Sequence, residues 1–83
     1  MDKVMVQVVS VVSAAFCLGI AGFAAALAQG KATASALDAI ARQPEAKNSI
    51  TQILIVGLAI IESIALYALL IAIVLIFVNP FAR

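Results

Sequence analysis

Four polar side chains carry the chemistry this chain can offer: Glu62, Ser63 beside it, Tyr67 four residues past that serine, and Gln29 far upstream. Glu62 stands near the middle of residues 53–78, a stretch otherwise almost wholly apolar. At 1.5 Å rise per residue, such a stretch forms a helix able to cross a bilayer core of roughly 30 Å. A charge at that depth costs on the order of 3 kcal/mol, which makes an intramembrane acid a functional candidate by default. Two forms of chemistry are open to it. A protonated Glu62 is neutral, gives its acid proton to a backbone carbonyl and accepts hydrogen bonds from Gln29, Ser63 or Tyr67; that is a proton site. An ionised Glu62, with the Gln29 carbonyl, the Ser63 hydroxyl and a main-chain carbonyl such as that of Ile60, presents hard oxygen ligands to a small cation; that is a sodium site. The plainer alternative is a structural anchor between helices, contributing about 0.6 to 2 kcal/mol.

Something must bring Gln29 to Glu62, and the chain has one way to do so. In a helical hairpin, residues whose numbers average to the turn share a depth. Gln29 and Glu62 average to 45.5, inside the polar segment Ala41-Arg42-Gln43-Pro44-Glu45-Ala46-Lys47-Asn48. Pro44 pushes Gln43 out of helical geometry and is itself favoured in the first turn of a following helix, so the turn belongs here. The spacing of Ser63 and Tyr67 puts both hydroxyls on one side of the second helix, adjoining the carboxyl.

The rest of the composition agrees with a hairpin in lipid. Of 83 residues, 66% are hydrophobic and 11% charged, and mean hydropathy is +1.26. A soluble chain of this size would expose far more apolar surface than water tolerates. A net charge of +1 with no His, no Trp and no basic cluster leaves no footprint for nucleic acid. Cys17, the single cysteine, reads as a small buried hydrophobe, and no zinc-type ligand set or Gly-rich phosphate loop is present.

Residues 4–28 run without a charge and form the first span; they are too long for the apolar region of a signal peptide, although Ala26-Leu27-Ala28 resembles a cleavage site. Small residues fall four apart on two stripes of this helix, Gly22, Ala26 and Gly30 on one and Ala24, Ala28 and Ala32 on the other. Each stripe lets another backbone approach closely, and two such faces suit a helix packed between like neighbours in a ring. The expected fold is therefore an all-α membrane protein: a hairpin of two transmembrane helices, one about 4–41 and one 49–78 joined by a polar loop at 42–48, assembling into a homo-oligomeric ring. Lys31, Arg42 and Lys47 lie towards the loop, against Lys3 and Arg83 at the ends, so the loop is expected on the cytoplasmic side.

Across essentially its whole length the chain resembles the c subunits of F-type ATP synthases, the rotor-ring proteolipids. The resemblance rests most specifically on Ala41-Arg42-Gln43-Pro44-Glu45-Ala46, then on Ile61-Glu62-Ser63 followed by Tyr67, and on Asn79-Pro80-Phe81. It implies identical hairpins in a ring that turns against the stator a subunit in a bacterial cell membrane or thylakoid-type membrane. Glu62 would bind the transported ion and release it near a stator arginine, and Arg42, Gln43 and Pro44 would contact the central-stalk subunits gamma and epsilon. ATP chemistry would lie on other subunits, with no cofactor here.

Two departures from the family pattern matter. The family's closely spaced glycines before the glutamine are mostly alanine here, in Gly22-Phe23-Ala24-Ala25-Ala26-Leu27-Ala28. The added methyls are expected to space the inner helices differently and to alter ring packing. Gln29, Glu62, Ser63 and Tyr67 look like the sodium-binding set, and Glu62, Gln29 and Ser63 would ligate the metal if the ion were sodium. Yet Ile64 stands where sodium-type members resemble one another in having Thr, so a proton is the first reading and sodium the second. The remote rival is a holin-like pore-forming hairpin, which has no need of a carboxyl level with Gln29.

Overall fold

The computed structural model describes residues 2–81; Arg83, counted above among the terminal charges, lies outside them. Two long helices form an antiparallel hairpin. Helix α1 (Lys3–Arg42) is capped at its start by Asp2, whose carboxylate accepts from the Met5 N–H at 2.8 Å, offsetting one of the free amides of a helix start. It ends at Gln43, which leaves helical geometry (φ −133°, ψ 75°) immediately before Pro44, where the proline ring disfavours the α conformation of its predecessor. A single 3-10 turn (Pro44–Ala46) leads into α2 (Lys47–Ile73), which continues as a π-helical turn (Val74–Val78).

The connection is thus tighter than a loop at 42–48. Arg42 still belongs to α1, and the 3-10 turn, closed by the Ala46 N–H on the Gln43 carbonyl at 2.9 Å, lets α2 start at Lys47 rather than at residue 49. At the far end, Asn79 takes a left-handed conformation (φ 33°), and its N–H reaches the Val74 carbonyl. Asn tolerates this region better than most residues, and Pro80 then prevents the helix from resuming.

Small side chains hold the two helices together. The buried positions are Ala14, Ala25 and Ala36 on α1 and Ala68 and Ala72 on α2, with Ser10 as the buried polar residue. Ala14, Ala25 and Ala36 are eleven apart, close to three helical turns, so they keep to one face and let the backbones approach along much of the length. The Cys17 thiol donates to the Ala68 carbonyl across this seam at 3.8 Å.

Large side chains point the other way. Phe16, Phe23, Ile53, Tyr67 and Phe77 are each more than 60% exposed, a distribution that lipid solvates and water does not. Both helices are long and apolar enough to span a membrane. The molecule measures 62 × 15 × 11 Å, roughly twice the thickness of a hydrocarbon core of about 30 Å. The more polar stretch of α1 from Lys31 to Arg42 therefore leads from the membrane towards the turn, with its later residues beyond the hydrocarbon core.

Candidate functional site

The hairpin joins Gln29 to Glu62. The Gln29 Nε2 donates to Glu62 Oε2 at 2.8 Å, between residues 33 apart in the chain. Their mean number falls within the turn Pro44–Ala46, so the contact follows from folding the chain there. Glu62 lies about 23 Å along α2 from Lys47 and about 24 Å from Val78 at helical rise, near the middle of the span. Gln29 is half-buried beside the helix seam, and Glu62 is exposed on the flank of the hairpin.

Ser63, Tyr67 and Ile60 lie elsewhere. The Ser63 hydroxyl donates back to the Ala59 carbonyl of its own helix at 2.9 Å, a frequent arrangement for serine in apolar helices. Tyr67 is 70% exposed and Ile60 62% exposed. At about 100° per residue, Ser63 sits about 100° round α2 from Glu62, Tyr67 about 140° and Ile60 about 160°. The four-residue spacing does align Ser63 with Tyr67, but on a side of α2 turned away from the carboxyl. Within one hairpin the three hydrogen-bonding groups expected around one ligand are therefore divided, with Gln29 at Glu62 and both hydroxyls apart.

Two stripes on α2 express this division. Ile55, Glu62 and Leu69 are seven apart and share one flank; Ile53, Ile60 and Tyr67 are seven apart and share the opposite one. The small residues of α1 are also turned outward. Ala24, Ala26, Ala28 and Gly30 are exposed and Gly22 half-buried. A Cβ added to Gly22 or Gly30 would meet nothing within 4 Å, so packing inside the hairpin does not require glycine at either position.

At the turn, Arg42 and Asp38 form an ion pair of 2.8 Å with side chains 77% and 63% exposed. Gln43 and Pro44 are exposed beside them. Asp38 is not among the residues singled out from the sequence, although an acid four residues before a base on a helix is the signal that finds such pairs.

Taken together, the geometry is a spanning hairpin with one carboxyl at mid-depth, held by an amide from the other helix, and a charged turn at one end. Comparison with known proteins gives the same picture a family. The family model for the ATP synthase C subunit matches residues 12–75. The ATP synthase c subunit numbered 2 of Cereibacter sphaeroides is 51% identical over 76 residues, covering 92% of each chain. The ATP synthase c subunit of Thermosynechococcus vestitus is 51% identical over 73 residues, covering 88% of this chain and 89% of that one. That of Syntrophobacter fumaroxidans is 44% identical over 73 residues, covering 88% and 81%. With matches of this extent, and with two membrane-spanning helices to accommodate them, the chain belongs to the ATP synthase C subunit family, whose role is that of the membrane rotor ring.

Proposed function

We propose that Glu62 carries one proton per hairpin around the ring, binding it in lipid and exchanging it where the stator a subunit offers water and a positive partner. The observation that carries this reading is the Gln29–Glu62 bond at mid-span. An isolated carboxylate is costly in lipid, so the group travels through the membrane as the neutral acid and charges only at the stator. Proton binding there is a simple exchange: the carboxylate takes a proton from one aqueous access path and returns it to another.

One feature favours the proton over sodium: Ile64, in the position after Ser63, supplies no oxygen ligand. The N–H that Gln29 gives the carboxyl oxygen suits either ion, since the amide oxygen is left free.

The division of polar groups between two flanks has a consequence in a ring. Rotational symmetry sets one flank of each hairpin against the opposite flank of the next. The Gln29–Glu62 flank of one copy then faces the flank of its neighbour bearing Ile60 and Tyr67, so the neighbour supplies the hydroxyl and main-chain groups that the single hairpin keeps apart. Helix α1, with its outward small residues, takes the inner circle, where circumference is least and backbones must come closest. Alanine at positions 24, 26 and 28 sets the spacing of that circle; replacing all three by glycine is expected to change the number of copies in the ring, read by native mass spectrometry.

The turn with Arg42, Gln43 and Pro44 lies on the cytoplasmic side and meets the central stalk. ATP chemistry takes place on other subunits.

Carbodiimide labelling of the assembled ring tests the ion assignment, because the reagent attacks the protonated carboxyl. Labelling at Glu62 unaffected by Na⁺ at neutral pH is the expected result. Specific slowing by Na⁺ would transfer the assignment to sodium.

A further inference from the structure

On the flank away from Glu62, the two helices leave between them an apolar recess of about 400 Å³ on the turn side of the ion site. Ala36, Ala39, Gly57, Ser35, Ile53 and Leu54 are among the residues that line it. The recess exists because three small residues meet where large ones would close the gap. On α2, Ile53 and Glu62 are nine residues apart, about 180° round the helix, which fixes the recess and the carboxyl on opposite flanks.

The Glu62 flank carries the complementary shape. Ile55 precedes Glu62 by seven residues, within about 20° of the same face, and is 60% exposed. Leu37 is 62% exposed and lines the same side of the hairpin as Gln29. Both stand at the depth of the recess, since Ile55 lies between Ile53 and Gly57 in sequence and Leu37 directly follows Ala36. Rotation about the membrane normal moves a residue to the next copy without changing its depth. A protruding side chain on one flank is therefore brought level with a hollow on the other.

We propose that this recess is the seat of Ile55 and Leu37 from the neighbouring copy, and that it sets the register between adjacent hairpins on the turn side of the ion site. The proposal rests on the ring reading and extends it to a particular contact. The recess continues the Ile53–Ile60–Tyr67 flank, which ring closure covers. In a membrane, helices associate through close van der Waals packing rather than escape from water, so a side chain fitted to a hollow is the form such a contact takes.

Paired cysteines test it in the full-length chain purified as a ring, with Cys17→Ser as background. The combination Ile53→Cys with Ile55→Cys is expected to give an oxidised ladder extending beyond the dimer, while Ile55→Cys alone gives none. Dimers from Ile55→Cys alone, or no ladder from an intact ring carrying both changes, would overturn the seat and leave the ring standing. Failure of the unsubstituted chain to form rings would instead overturn the ring reading.

Gly57→Leu supplies the second arm. A Cβ at Gly57 meets nothing within 4 Å in the hairpin, and Gly57 lines the recess, so a larger side chain there projects into it. Ring yield should fall at least tenfold with helix content in detergent unchanged. Rings at the unsubstituted yield would mean that the recess holds displaceable lipid and would overturn the proposal.

Discussion

Among the described residues, two contacts between polar side chains have equal length and opposite physical weight. Gln29 meets Glu62 at 2.8 Å between helices, and Arg42 meets Asp38 at 2.8 Å along one helix. The second pair is largely exposed at the water end, where each charge is solvated whether or not the other is present. Such i,i+4 pairs contribute about 0.3 to 0.5 kcal/mol. The first lies in the part of the hairpin that spans lipid, where an unpartnered carboxyl has no water to turn to. Distance alone ranks the two contacts equally; the surrounding medium separates them.

The strongest way to break this comparison is Glu62→Gln. The amide can still bond to Gln29, so hairpin and ring should persist, but it has no proton to exchange at this site. ATP-driven pumping by the reconstituted complex is expected to fall by at least about a hundredfold, the scale lost with a proton-transfer group. Pumping at the unsubstituted rate would remove Glu62 from the mechanism altogether.

Gln29→Leu probes the other half of the same contact. Loss of an interhelical hydrogen bond in a membrane costs about 0.6 to 2 kcal/mol, and the ring should dissociate at lower temperature in detergent. An unchanged midpoint would reduce Gln29 to a packing residue. The effect should also be insensitive to salt, because ions do not enter the span.

Asp38→Ala carries the smallest expectation, a stability change within about 0.5 kcal/mol that vanishes near 1 M salt, where screening acts over about 3 Å. A larger or salt-independent loss would show that the turn holds its charges more tightly than an exposed pair should. It would bring the two contacts closer in kind.

Much of this was legible in the linear chain because membranes impose simple rules. Long apolar runs must become helices, Pro44 must interrupt them, and folding there levels residue 29 with residue 62. The phase of the hydroxyls was less legible. Ser63 follows Glu62 directly, and proximity in sequence suggested proximity in space, but one residue along a helix is about 100° of rotation. The width of the turn was hidden for a related reason: polar composition marks where a chain meets water, yet a 3-10 turn meets water as readily as a loop.

The sequence alone thus determined the class, the hairpin, the level of Glu62 and the family resemblance, because hydrophobic length and a single proline act locally. Which faces meet was decided only by tertiary packing. Ala14, Ala25, Ala36, Ala68 and Ala72 are consumed in joining the two helices, and that leaves Gly22, Ala24, Ala26 and Ala28 directed outward. No count of alanines distinguishes the two sets. They are separated by which face of α1 lies on α2; with that seam set, the helical rotation of α2 leaves Glu62 on one flank and Tyr67 on the other.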